Sequence, residues 1–179
     1  ALTHEDISVK SVRRQANDFS ARFSCTMREY KYFICTDAYK PLLMKGFCWH
    51  IPKELDLEAM RAAAAYLIGE HDFKSFCMAA SAEGKSTMRN VFSIDVSRGD
   101  AWGENLVVIT VKGNAFLHSM VRTIVGTLVA VGLGRRRPEW IAEVLEARDR
   151  AAAGENAPAQ GLVFWNVSYE GERVHDPLK

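Results

Sequence analysis

The side chains most able to do chemistry in this 179-residue sequence are few. Arg122 lies between Val121 and Thr123 inside NAFLHSMVRTIVGTLVAVG, a stretch otherwise dense in apolar residues. A guanidinium is always charged, and removing it from water without a partner is costly, so Arg122 demands an anion or a hydrogen-bond acceptor. A structural ion pair, or snorkelling to the surface, would also satisfy it. His71 and Asp72 stand side by side in EHDF, with Cys77 shortly after. These are the residue types of a Cys-His-Asp hydrolase. The signal is weak, because adjacent residues seldom orient one another and no glycine-rich turn surrounds Cys77; a free cysteine is more often buried and inert. No GxGxxG fingerprint, P-loop or HExxH motif is present. Cys25, Cys35, Cys48 and Cys77 show no CxxC spacing, which supports neither zinc nor a disulfide framework and suggests a reducing, cytoplasmic setting.

The elements that must position these groups follow from periodicity. ISVKSVRR alternates weakly, and FSARFSCTM and YKYFI alternate better, which predicts three strands. LDLEAMRAAAAYLIG predicts a helix with Asp56 as N-cap and Gly69 closing it. EHDFKSF is too short for a full helix, and ASAEGKST predicts a loop. RNVFSIDVSR and NLVVITVK predict strands joined by a hairpin through GDAWGE. Over 114–132 a helical reading puts Asn114, His118, Arg122 and Gly126 in one narrow stripe, flanked by Ala115, Ser119 and Ala130, with apolar residues on the other faces. Pro138, Trp140, Ile141, Val144 and Leu145 predict a last amphipathic helix ending near Arg150, and GLVFWNVSYE a final strand. The order β-β-β, α, β-β, α, α, β predicts an α+β fold, a mainly antiparallel sheet with helices packed on one face.

Composition is that of an ordinary globular chain, 48% hydrophobic and 25% charged. The longest apolar run is interrupted by Arg122 well short of a membrane span, and no signal peptide is visible. The net charge of +1 is uninformative about partners, but the basic residues cluster: Arg13 with Arg14, Arg28 with Lys31, and Arg135, Arg136 and Arg137. Each cluster could reach phosphates if the fold gathers them on one face.

The ordered set RFSCTMREYKYF, LIGEHDFKSF, MRNVFSIDV, VKGNAFLHSMVRTIVGTLVAVG and APAQGLVFWNVSY resembles the catalytic region of the TruA family of tRNA pseudouridine synthases. The resemblance runs over nearly the whole chain. It implies a pseudouridine synthase-like fold and an isomerase that breaks the C1'-N1 bond of a uridine in the tRNA anticodon stem-loop and rejoins C1' to C5. It implies no cofactor and no metal, and a homodimer that holds tRNA jointly.

Carried over residue by residue, the resemblance makes Tyr30 the tyrosine that packs against the flipped uracil and Arg122 the arginine that pairs with the catalytic aspartate. Gly126 and its small neighbours would leave room for that carboxylate. Arg28, Asn114, Phe116, His118, Asp72 and Phe73 are the expected substrate-binding residues, Asp72 with a structural or site-shaping part. Trp102 and Trp165 could stack on bases, although Trp165, inside an apolar strand, reads better as a core or interface residue. The family's aspartate belongs to an RTDxGVHA-type motif, which this sequence lacks. Residues 1–179 are therefore expected to form one catalytic-type domain, the C-terminal part of a longer enzyme, inactive alone. The alternative is a non-catalytic RNA-binding or dimerising scaffold.

Overall fold

In the computed structural model, residues 3–78, 83–84 and 86–170 are described; half of the expected loop ASAEGKST lies outside them. Six strands form one sheet: β1 (Cys25–Cys35), β2 (Trp49–His50), β3 (Gly69–Asp72), β4 (Met88–Ala101), β5 (Glu104–Gly113) and β6 (Leu162–Tyr169). The order is β2-β1-β5-β4-β3, with β6 pairing on β1. All pairs are antiparallel except β1 with β2. Among the described residues three α-helices, α1 (Leu57–Ala65), α2 (Met120–Gly132) and α3 (Trp140–Ala147), complete the frame.

Strand periodicity explains the layering. Tyr32 and Ile34 of β1 stand opposite Ile109 and Val107 of β5, and Ile109 in turn faces Val96 of β4. These side chains form one face of the sheet and pack with Met60 and Leu67, Ile124 and Leu128, and Ile141 and Val144 from the helical layer. The α+β architecture with helices on one face is therefore observed. On the opposite face, Cys35 and Leu106 meet Met44 and Cys48 of the loop after β1 in a smaller cluster. Glu104 holds that loop by accepting the backbone N–H groups of Leu42, Leu43 and Met44 at 2.7, 2.9 and 3.0 Å.

Several boundaries differ from expectation. Residues 7–14 form no strand and lie exposed, Ile7, Val9 and Val12 among them. FSARFSCTM and YKYFI contribute to one continuous strand, β1, while β2 is a two-residue addition. EHDF extends a strand, β3, before a short 3-10 turn over Phe73–Phe76. The β4–β5 turn is only Trp102 and Gly103, with φ of 53° and 84°, the left-handed pair that a tight hairpin needs. Asp56 does cap α1, accepting from Ala59 N at 2.9 Å, but the helix ends at Tyr66, and Gly69 (φ 106°) instead opens β3.

The tightest packing lies where the segment after α3 crosses α2. A Cβ at Gly126 would fall 1.9 Å from the carbonyl oxygen of Glu155, and one at Gly154 would fall 2.7 Å from the Cα of Thr127. Alanine normally stabilises a helix interior by about 1 kcal/mol relative to glycine. Gly126→Ala should do the opposite, lowering stability by roughly 1–3 kcal/mol or more because backbone must move. Gly132→Ala meets the flexible side chain of Met60 closely and Leu55 Cβ at an ordinary 3.5 Å, and should cost less. Urea melts of both variants check this; a midpoint for Gly126→Ala at or above that of the parent chain would refute the close crossing.

Candidate active site

The helix expected to begin at Asn114 begins at Met120, because the backbone before it is already committed. Asn114 N donates to Asn90 O at 3.0 Å, and Asn90 N donates to Asn114 Oδ1 at 3.0 Å, so the residue after β5 continues the sheet. Arg28 Nη1 takes the remaining carbonyl, Asn114 O, at 2.5 Å, and its Nη2 binds Arg22 O at 2.6 Å. Arg28 and Asn114 thus brace the approach to α2. Ser119 then adopts φ 63° with no side-chain cap, an uncommon left-handed conformation for a residue with a Cβ. The irregular turn between β5 and α2 forms one wall of a cleft.

That cleft, of about 530 Å³, brings together Tyr30 from β1, Phe116 and His118 from the turn, Arg122 from α2, and Ala159 and Leu162 from the approach to β6. Tyr30 is fixed by two aromatic contacts: Phe116 edge-on at 5.3 Å and Phe164 tilted at 5.1 Å between centroids. A register shift between Glu29 and Tyr30 in the β1–β6 ladder sets Phe164 beside Tyr30. Burial raises the Tyr30 pKa, only partly opposed by the charge of Arg28, so the phenol stays protonated at neutral pH. His118 is exposed at the cleft edge.

Arg122 is half-buried rather than sealed in the core. Its Nε donates to Ala157 O at 2.6 Å, and Ala157 N donates back to Arg122 O at 3.2 Å. This reciprocal pair fixes the stem of the guanidinium while its Nη groups take no acceptor among the described residues. Among those residues Arg122 also has no carboxylate within 4 Å, and no Asp or Glu lines the cleft. The space expected beside Gly126 for a carboxylate is instead filled by the Glu155 backbone.

Other expected residues lie elsewhere. Phe73 is fully buried against Phe76 and offers no surface to a ligand. Asp72 caps the 3-10 turn through Lys74 N, accepts from Thr87 Oγ1 at 2.5 Å and pairs with Arg148 Nε at 3.3 Å. Cys77 is buried, and burial raises its pKa, which disfavours the thiolate that a nucleophile needs. Trp165 lies under Lys31 Nζ, 3.9 Å from its ring centroid, whereas Trp102 is exposed at the hairpin tip. Among the described residues no group of three His, Cys, Asp or Glu could hold a metal, and no helix is long and apolar enough to cross a membrane. Periodicity in the sequence carried no sign of the strap formed by 154–161. The glycines and APAQG were visible, but a close crossing between segments distant in the chain leaves no periodic signal.

A mainly antiparallel sheet backed by helices on one face is consistent with the pseudouridine synthase fold. A family model described as tRNA pseudouridine synthase matches residues 63–170, and the chain belongs to that family. It is 39% identical over 172 residues to tRNA pseudouridine synthase A of Bacillus subtilis, covering 95% of this chain and 67% of that protein. Similarity to the proteins of the same name from Vibrio parahaemolyticus (44% over 168 residues, 93% and 61%) and Thermotoga neapolitana (43% over 165 residues, 92% and 65%) is comparable. The chain thus spans roughly two thirds or less of the length of these relatives.

Arg122→Met keeps the bulk and removes the charge-assisted hydrogen bond to Ala157. It should cost about 1–2 kcal/mol in a denaturant melt. A loss of about 4 kcal/mol or more would mean that the guanidinium neutralises a buried carboxylate within this chain.

Proposed function

We propose that this chain supplies the tyrosine and arginine of a tRNA pseudouridine synthase that isomerises uridine to pseudouridine in the anticodon stem-loop. The observation that carries the reading is Arg122 at the cleft, its stem fixed by Ala157 and its Nη groups facing no carboxylate among the described residues. A guanidinium so placed favours ionisation of a carboxylate brought beside it and orients that carboxylate bidentately. In this reading the carboxylate is the nucleophilic aspartate of the family's RTDxGVHA-type motif, absent from these 179 residues. Tyr30 provides the flat surface on which a uracil drawn out of its stack can rest. Phe116 stiffens that ring, His118 meets the RNA at the edge, and Arg28 and Asn114 keep the turn in place. A homodimer in the cytoplasm is part of the same proposal.

The chain alone should release no tritium from C5-labelled tRNA. Joined to a segment bearing the RTDxGVHA-type motif it should do so, and Arg122→Met should abolish that release. Turnover by the isolated chain would sink the assignment and make Asp72 the first carboxylate to test; no turnover by the joined protein would overturn the enzymatic reading.

Stacking is tested separately, by filter retention of an anticodon stem-loop at fixed salt. Tyr30→Phe keeps the platform and should bind within about twofold of the parent, whereas Tyr30→Ala should lose roughly 1–3 kcal/mol. Equal binding by two folded variants counts against the platform.

A further inference from the structure

The stretch REYKY carries two tyrosines, and the isomerase chemistry uses only the first. Two positions apart on β1, they share one face of the sheet, Tyr30 opposite Val111 and Tyr32 opposite Ile109. Tyr30 reaches the cleft, whereas Tyr32 is fully buried in the apolar core. A phenylalanine would fill nearly the same volume there. What the phenol adds is one hydroxyl. Burial raises its pKa, with the charge of Arg122 opposing that shift and Cys48 and Glu155 adding to it, so the hydroxyl stays a donor across the neutral range.

That donor is spent on the strap. Tyr32 Oη donates to Pro158 O at 2.7 Å, and Arg122 Nε donates to the preceding carbonyl, Ala157 O, at 2.6 Å. Two successive carbonyls are thus taken by side chains from opposite layers, one from the sheet and one from the helix. The proline ring between them holds φ, here −52°, and leaves ψ, here 143°, as the soft torsion that sets one carbonyl against the other. A hydrogen bond at each carbonyl fixes that torsion.

The other anchors of the strap act elsewhere. Gly154 N donates to Thr127 Oγ1 at 3.0 Å, and Arg150 Nη1 donates to Gly154 O at 2.9 Å, both upstream of Ala157. From Pro158 to Gly161 the Tyr32 hydroxyl is the one side-chain donor to the strap among the described residues. The ring supports the same segment, since a Cβ at Gly161 would stand 2.6 Å from Tyr32 Cζ. Leu162, where β6 begins, then pairs with Tyr32 itself.

We propose that Tyr32 is a positioning residue for Arg122: its hydroxyl holds Pro158 so that the Ala157 carbonyl keeps the guanidinium in one orientation at the cleft. Being buried, Tyr32 touches neither RNA nor the reacting atoms and acts only through the strap. The catalytic consequence rests on the enzymatic reading above; the clamp on Arg122 does not.

Tyr32→Phe removes the hydroxyl and keeps the ring, so the test has one arm for the clamp and one for its consequence. The first arm is exchange of the Arg122 Nε–H proton with water, read by isotope-edited NMR of the chain, with the signal assigned by its loss in Arg122→Met. In Tyr32→Phe that exchange should be roughly tenfold faster, because the bond to Ala157 opens more often. The second arm is turnover by the chain joined to the segment that bears the aspartate motif. There Tyr32→Phe should lower kcat about tenfold and leave KM within about twofold, the pattern of a misplaced group that does not bind substrate. Asp56→Ala, which removes the α1 cap far from the strap in sequence, serves as the control: it should also lower the urea midpoint while keeping the parent kcat and the parent Arg122 exchange. Unchanged Arg122 exchange in Tyr32→Phe would overturn the clamp. Faster exchange with parent kcat would overturn the positioning role, as would a raised KM at unchanged kcat or an equal fall of kcat in Asp56→Ala. An inactive joined parent would overturn the enzymatic reading and with it the catalytic consequence, while the exchange measurement still decides whether Tyr32 holds Arg122.

Discussion

The cleft depends on one contact, the crossing of the 154–157 backbone over α2 at Gly126. Only a residue without a Cβ admits the Glu155 carbonyl at that distance. Once the strap lies there, Ala157 can exchange two hydrogen bonds with Arg122, and Pro158 O can accept from Tyr32 Oη at 2.7 Å. Gly161 then lies close enough to the Tyr32 ring that a Cβ would stand 2.6 Å from it. Immediately afterwards β6 begins to pair with β1, and Phe164 settles beside Tyr30. The arginine on the helix and the tyrosine on the strand are positioned by the same eight-residue strap, so neither can shift far without the other.

The distribution of negative charge makes Arg122 available. Asp72 is occupied by Lys74 N, Thr87 and Arg148. Asp37 is held below the usual carboxylate range chiefly by the side-chain and backbone amides of Asn105. For Glu104, desolvation opposes ionisation, but three backbone N–H groups outweigh it and lower its pKa. Glu29 is buried and lies 3.6 Å from Lys112. Each of these carboxylates has work in the fold, at a turn, a loop base or a strand pair. The guanidinium of Arg122, anchored through Nε alone, keeps its charge for a group that enters the cleft.

The basic clusters divide in the same way between scaffold and surface. Arg28 is committed to Asn114 O and Arg22 O, and Lys31 lies over Trp165. Each is engaged with its own surroundings in the fold. Arg13 and Arg14 lie in an exposed segment without regular structure. The arginines after α2 differ, since the backbone caps the helix without them and their side chains crowd one hollow.

Much of the frame was legible from local chemistry. The Asp56 cap, the hairpin around Trp102 and Gly103, the amphipathic α3 and the alternation of β1 and β6 each follow from steric and hydrogen-bonding preferences within a few residues. The candidacy of Tyr30 and Arg122, which the fold places on one cleft, was legible through ordered motifs, not through periodicity. The start of α2 was not, since the apolar spacing over 114–119 suits a helix, yet Asn114 is claimed by Asn90 and Arg28 from other strands. Nor did local pattern separate Phe73, sealed in the core, from Phe116, open to the cleft. The sequence by itself determined which segments favour helix or strand and which residue types can do chemistry, because those depend on neighbours a few positions away. Tertiary structure alone decided where the cleft lies and which charges remain available in it, because backbone groups and side chains compete there for partners that are far apart in the chain.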